Sequence, residues 1–139
     1  QKEWEKLSGI DLASQTEDRS REAVQSFPKG TVIVEKGPHT RIWTSGQEEG
    51  YQLDVGGPYQ ATGGMGDTLA GMIAGFAGQF PQVSLYERVV VATYLHSAIA
   101  EDLSKEAYVV LPTTISQEIP KWMKKWSDKD QVISIENRK

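Results

Sequence analysis

The chain has 139 residues, of which 38% are hydrophobic and 24% charged, and its formal net charge at pH 7 is −4. These values are ordinary for one soluble globular domain, and the negative balance does not favour nucleic acid as a partner. The absence of cysteine excludes disulfides and thiolate chemistry and is compatible with the cytoplasm. The apolar run at residues 69–80 is too short for a membrane span of about 20 residues, so we expect no membrane contact.

The first part of the chain predicts a helix followed by strands. Residues 17–27 place Ala23, Val24 and Phe27 on one side of an amphipathic helix. Pro28 and Gly30 end this segment. Short runs rich in β-branched and aromatic residues then predict strands at residues 31–34, 41–44 and, more weakly, 51–53.

The second part of the chain is predominantly helical. Its apolar spacing predicts helices at residues 67–78, 85–103 and 112–126. Pro120 predicts a kink or a restart in the last of them, and residues 132–135 indicate a short final strand. This order is typical of part of a layered α/β fold, because the strong strands are too few for a complete central sheet.

A glycine cluster stands directly before the helix predicted at residue 67, in the stretch ATGGMGDTLAG at residues 61–71. Glycine lets the backbone approach a ligand closely, and the free N–H groups at a helix start form an anion site suited to phosphate. Asp67 would repel a phosphate that is merely held, whereas in phosphoryl transfer an acid accepts the proton of the attacking hydroxyl. The alternative from spacing alone is that Asp67 only caps the helix.

Two common phosphate-binding patterns are absent from this stretch. No Gly-Lys-Ser or Gly-Lys-Thr follows the glycines, which excludes a P-loop. The G-x-G-x-x-G pattern after a clear strand, typical of dinucleotide-binding domains, is missing as well.

Residues 61–71 resemble the anion-hole and catalytic-aspartate motif of the ribokinase-like superfamily, and within it most closely that of the ADP- or ATP-dependent NAD(P)H-hydrate dehydratase family. Met65 stands where that family usually has threonine. Residues 36–40, KGPHT, are similar to its Lys-Gly-x-x-Thr nucleotide loop, and residues 1–4, QKEW, resemble the end of its Thr-Pro-His-Pro-x-Glu motif. Residues 54–60, DVGGPYQ, depart from the family's usual Asn-x-x-Gly-Asn-Pro-Gly-Met, so details of the substrate pocket are expected to differ.

The resemblance implies a ribokinase-like three-layer α/β/α sandwich of which this chain is only the C-terminal portion. Residues 1–139 would then form the nucleotide-binding half of a single domain, with the N-terminal half absent. The implied activity is a lyase reaction in metabolite repair. Hydrated NAD(P)H is phosphorylated on its ring hydroxyl by ADP or ATP, and loss of phosphate returns NAD(P)H.

The resemblance also implies the roles of individual residues. Asp67 would bind the hydrated substrate and accept its proton, beside an anion hole formed by the backbone of Gly63, Gly64, Met65 and Gly66. The adenine nucleotide would contact Lys36, Gly37, Pro38, His39 and Thr40, and again Gly63 and Gly66. Mg²⁺ would be held mainly by the phosphates, with Glu3 nearby.

The partners implied are small-molecule nucleotides, the missing N-terminal half of the same protein and further copies in a homo-oligomer, in the cytoplasm. Two alternatives stay open from the sequence. The first is a kinase of the same superfamily that phosphorylates a sugar, thiazole or pyrimidine hydroxyl, and the second is a non-catalytic nucleotide-binding module. Without the resemblance, Lys36 and Glu3 would be ordinary exposed residues, and His39 and His96 would be packing or surface residues.

Overall fold

The computed structural model describes residues 2–37, 39–58 and 61–136. Its elements in chain order are α1 (Lys2–Ser8), a single 3-10 turn (Leu12–Ser14), α2 (Glu17–Val24), β1 (Val32–Glu35), β2 (Arg41–Thr44), β3 (Tyr51–Gln52), α3 (Met65–Gly78), α4 (Leu85–Ser104) and α5 (Pro112–Glu136). Within the described residues, no helix combines the length and the apolar character needed to cross a bilayer.

The three strands form one antiparallel sheet in the order β1-β2-β3. Ile33 pairs with Trp43, and Val34 pairs with Ile42. Because successive side chains of a strand point to opposite faces, this register sorts the apolar residues of β1 and β2 into two sets. Both faces of the sheet are therefore apolar and need a covering layer.

Helices cover the two faces of the sheet. On one face, Trp43 and Ile33 pack with Trp4 of α1 and Val24 of α2. On the other face, Ile42 and its neighbours on β1 pack with residues of α3 and α4. The arrangement is an α/β/α sandwich, which confirms the predicted layered fold.

The helices α3, α4 and α5 share a second core. It consists of buried apolar side chains from all three helices and from the segment before α5: Met65, Met72, Leu95, Ile99, Ala100, Val110 and Ile115. Met65 joins this core at the first residue of α3, which fixes the start of that helix against its neighbours. The position of the glycine turn before α3 is therefore set by packing.

Four element predictions need correction. The helix predicted to residue 27 ends at Val24, and residues 25–27 form turn hydrogen bonds to the carbonyls of Glu22, Ala23 and Val24. The third helix begins at Met65 and not at Asp67. The last helix neither restarts at Pro120 nor gives way to a strand at residues 132–135, because α5 continues to Glu136.

Candidate active site

The glycine turn leads into α3 through a left-handed residue. Gly64 is the N-cap, with φ 86° and ψ −7°, and no side chain makes a capping hydrogen bond there. The first ladder bond of the helix runs from the Thr68 N–H to the Gly64 carbonyl at 3.0 Å. Asp67 lies inside the first turn of the helix, so the interpretation of Asp67 as the cap is wrong and its carboxylate is not used for that purpose.

The backbone amides of this turn are not equivalent. The Met65 N–H donates to the Thr62 carbonyl at 3.3 Å, which closes the turn on itself. The amides of Gly66 and Asp67 lie between the Met65 amide and the Thr68 amide, which donates the first i to i−4 hydrogen bond of the helix. Helix geometry leaves such early amides without an intrahelical acceptor, so they are the donors that this helix start offers to an anion.

Lys36 brings a positive charge to the same place. It follows the last residue of β1, and its Nζ lies 3.3 Å from the point that a Cβ on Gly66 would occupy. The N-terminal end of a helix carries partial positive charge, so an ammonium group beside it is unfavourable unless an anion lies between them. Lys36 and the start of α3 together can therefore bind an anionic group such as a phosphate.

These residues open onto a cleft of about 530 Å³. Its walls include Lys36, Gly37 and Thr40 from the loop after β1, and Met65 and Gly66 from the start of α3. Further lining residues come from α3 and α4, among them Leu69, Thr93, His96 and Ser97, and from the segment between β3 and α3. Residues 36–40 and residues 61–71, the two segments predicted to bind one nucleotide, thus both contribute to the lining of this cleft.

Some predicted site residues lie beside this cleft and not in its lining. Asp67 is exposed and follows the lining residue Gly66, whereas Gly63 and Gly64 are exposed in the turn before it. His39 is exposed on the loop after β1. Pro38 lies outside the described residues. The predicted residues Lys36, Gly37, Thr40, Met65 and Gly66 thus line the cleft, whereas Gly63, Gly64 and Asp67 are not among its lining residues.

Glu3 lies near Lys36 but in a different cavity. This small cavity of about 110 Å³ is lined by residues of α1 and β1, including Glu3 and Glu35, and by Lys36 after β1. Within the described part of the chain, no group of three or more His, Cys, Asp or Glu side chains is arranged to hold a metal ion. Glu3 could thus supply one carboxylate to a metal ion near the cleft, but the described side chains do not form a complete metal site.

His96 is a lining residue that the sequence interpretation treated as packing or surface. Its side chain is only 4% exposed, and its Nε2 is buried with no hydrogen-bond partner among the described residues. Burial lowers the pKa of the His96 imidazole, which favours its neutral form in the folded protein. Its spacing from Val89 and Thr93 on α4, at seven and three residues, is the signal that could have placed it on a buried helix face.

Comparisons with known proteins show which family the sequence matches. A family described as NAD(P)H-hydrate dehydratase matches residues 1–121. A curated relative from Streptococcus pneumoniae, named ADP-dependent (S)-NAD(P)H-hydrate dehydratase, is 72% identical over 89% of this chain and 43% of its own length. The chain thus spans less than half of that relative.

Two crystal structures are similar in fold. A hypothetical protein from Streptococcus mutans superposes with a TM-score of 0.84 at 54% identity, over 90% of this chain and 44% of its own. A ribokinase-like superfamily protein from Enterococcus faecalis superposes with a TM-score of 0.82 at 45% identity, over 91% of this chain and 42% of its own. The sandwich described above is therefore part of a ribokinase-like fold.

Proposed function

The chain belongs to the NAD(P)H-hydrate dehydratase family, and from this premise we propose that it is the nucleotide-binding, C-terminal part of an ADP-dependent NAD(P)H-hydrate dehydratase. The name of the Streptococcus pneumoniae relative supports ADP as the phosphoryl donor and the S epimer of the hydrate as substrate. The proposal includes an N-terminal part that completes the domain, since the chain corresponds to 43% of that relative.

The contact between Lys36 and Gly66 carries this proposal. It brings an ammonium group to the amide end of α3 at the mouth of a cleft lined by both proposed nucleotide segments. An ammonium and a row of amide donors together neutralise the charge of a phosphoryl group during its transfer. The alternative roles considered for Lys36 and Asp67, an ordinary surface lysine and a helix cap, require neither this contact nor this cleft.

The proposed reaction has two steps. In the first, the ring hydroxyl oxygen of the hydrated cofactor attacks the terminal phosphorus of ADP, its proton passes to the Asp67 carboxylate, and AMP leaves. In the second, the carbon–oxygen bond breaks, phosphate departs with that oxygen, and loss of a ring proton restores the double bond. The protein contributes mainly orientation and charge stabilisation, since phosphate is a far better leaving group than hydroxide.

Mg²⁺ is part of the proposal because the available side chains fit its usual mode of binding. Mg²⁺ is commonly held by one or two carboxylates together with substrate phosphates, and Glu3 provides a carboxylate in the cavity next to Lys36. When bound, the ion would offset negative charge on the phosphates. We also propose, on the family resemblance alone, a homo-oligomer in the cytoplasm.

The test of this function uses a hybrid enzyme, in which the chain replaces the matching segment of the Streptococcus pneumoniae relative. The hybrid should restore the absorbance of reduced nicotinamide when hydrated NADH and ADP are supplied, and it should release AMP and phosphate. Asp67→Asn should abolish this recovery while ADP binding is retained. Asp102→Asn, at an exposed position near the end of α4, is the matched control and should keep full activity.

The other outcomes distinguish the alternatives. A stable phosphorylated product without recovery of NADH would support the kinase. Binding of ADP without any turnover in the hybrid would support the non-catalytic module. Full activity of Asp67→Asn would remove this carboxylate from the mechanism.

A further inference from the structure

Glu35 is a carboxylate at the end of β1 that the proposed mechanism does not use. Antiparallel pairing places Ile33 opposite Trp43, and strand alternation puts Glu35 on the same face as Ile33, towards α1 and α2. Lys36, one residue later, reaches Gly66 of α3 on the other side of the sheet. The two neighbouring charges thus point into different layers of the sandwich.

The carboxylate of Glu35 is the final acceptor of a chain of hydrogen bonds. The Trp43 indole N–H donates to its Oε2 at 2.9 Å, and the Ser20 hydroxyl donates to its Oε1 at 3.4 Å. The Trp4 indole N–H in turn donates to Ser20 Oγ at 2.9 Å. These four residues, here called the Glu35 network, come from α1, α2, β1 and β2.

The donors of this network are deeply buried, since Trp4, Ser20 and Trp43 are 5%, 1% and 2% exposed. An apolar residue at position 35 would pack against the adjacent Trp4–Val24–Trp43 cluster without any cost of desolvating a charge. It would also leave a buried indole N–H and a hydroxyl without their acceptor, and such groups are costly to leave unpaired. The carboxylate therefore fixes the direction of its neighbours in a way that apolar packing would not.

We propose that Glu35 is a positioning residue of the active site. Its carboxylate holds the end of β1 against α1, α2 and β2, and this anchor fixes the backbone from which Lys36 reaches the start of α3. Through Trp4, the same network sets the place of α1, which carries Glu3. The inference rests on the proposed function only for its effect on ADP, and not for the placement of Lys36.

The decisive variants are Glu35→Leu and Glu35→Gln in the hybrid enzyme. Leucine removes the acceptor, so KM for ADP should rise about tenfold, the scale of one charge-assisted hydrogen bond, while KM for hydrated NADH changes little. Glutamine keeps an acceptor oxygen for Trp43, and its amide can donate to the Ser20 hydroxyl. It should therefore restore most of the affinity for ADP.

A double-mutant cycle with Lys36→Met tests whether Glu35 acts through Lys36. In the Lys36→Met background, Glu35→Leu should have no further effect on ADP binding, because the group that it positions is gone. Additive losses in the cycle would overturn the proposal. If the role of Glu35 were purely structural, Glu35→Leu would lower the melting temperature, but KM for ADP would change no more than KM for hydrated NADH does.

A measurement without nucleotide separates this inference from the proposed function. In the hybrid enzyme without nucleotide, the amide resonance of Gly66 should shift in Glu35→Leu and stay in place in Glu35→Gln. Lys36 Nζ lies next to that backbone, and the proposal makes its position depend on Glu35. If Glu35→Leu does not fold, Trp43→Phe, which removes one donor, should produce a smaller shift of the same resonance. An unchanged Gly66 resonance in a folded variant overturns the proposal even if ADP binding fails altogether.

Discussion

The ammonium of Lys36 and the backbone of Gly66 approach each other so closely that a methyl group on Gly66 would lie 3.3 Å from Nζ. This contact is tighter than ordinary packing, and its only flexible member is the lysine side chain. Any side chain at position 66 would therefore displace the ammonium before it displaced the helix. A Cβ at position 66 would shift the Lys36 ammonium by a few tenths of an ångström.

Gly66→Ala is expected to weaken ADP binding about tenfold, since the charge-assisted contact of Lys36 with phosphate would be misplaced. Stability should stay the same or rise by up to about 1 kcal/mol, because alanine is the better helix former. Gly71→Ala in the same helix is the matched control, as nothing lies within 4 Å of its added Cβ. Calorimetric titration of ADP into both hybrid variants checks the prediction, and equal affinities would contradict it.

Gly64→Ala is expected to lower the free energy of unfolding through backbone strain and not through a lost contact. The φ of 86° at Gly64 is one that side chains rarely adopt, and forcing alanine into it costs roughly 1–3 kcal/mol. The neighbouring Gly63→Ala is the control, because its added Cβ has nothing within 4 Å. Urea denaturation should show a lower midpoint for the first variant only. Equal midpoints for the two would mean that the turn relaxes to another conformation.

The local structure was predictable wherever it depends on neighbours in sequence. Alternation of apolar residues predicted β2 at residues 41–44, and the structure has it at Arg41–Thr44. The glycine cluster predicted the turn before α3, because the N-cap position needs a residue that accepts positive φ. The site itself could not be predicted from neighbours in sequence, since Lys36 and Gly66 come together only after the two strands and the loop between them have folded.

The parts that sequence reasoning missed depend on distant partners. The helix α1 was not predicted, and it is anchored through Trp4, which donates to Ser20 on α2. The burial of His96 likewise results from the packing of α4 against its neighbours. The contact between Trp4 and Ser20 cannot be read from local spacing, whereas the spacing of His96 from Val89 and Thr93 could have placed it on a buried helix face.

Pro120→Ala is expected to stabilise α5. The helix continues through Pro120, although proline cannot donate the backbone bond to the carbonyl four residues earlier, at Ser116. Pro120 is exposed, so alanine would restore the donor without removing a buried contact, and the gain should be up to about 3 kcal/mol. Gln117→Ala, exposed in the same helix, is the control. Denaturation midpoints compare the two, and a loss of stability in Pro120→Ala would indicate a packing role for the ring.

His96 should make the protein sensitive to acid. Burial lowers the pKa of His96 in the folded state below its ordinary value of 6.5. As the pH falls below about 6.5, the unfolded chain therefore takes up a proton that the folded protein resists, and the free energy of unfolding decreases. The decrease should end once the pH has passed the folded-state pKa. Above about pH 6.5 the imidazole is neutral in both states, so it adds no pH dependence there.

The measurement is the change in free energy of unfolding between about pH 7.5 and about pH 5, compared among His96→Gln, His39→Gln and the parent protein. His96→Gln should flatten this change, since glutamine does not titrate, whatever its effect on stability at neutral pH. His39 is the other of the two histidines in the chain and is exposed, so His39→Gln is the matched control and should keep the parent's slope. A parent slope that survives in His96→Gln would show that the acid sensitivity arises from carboxylates elsewhere in the protein.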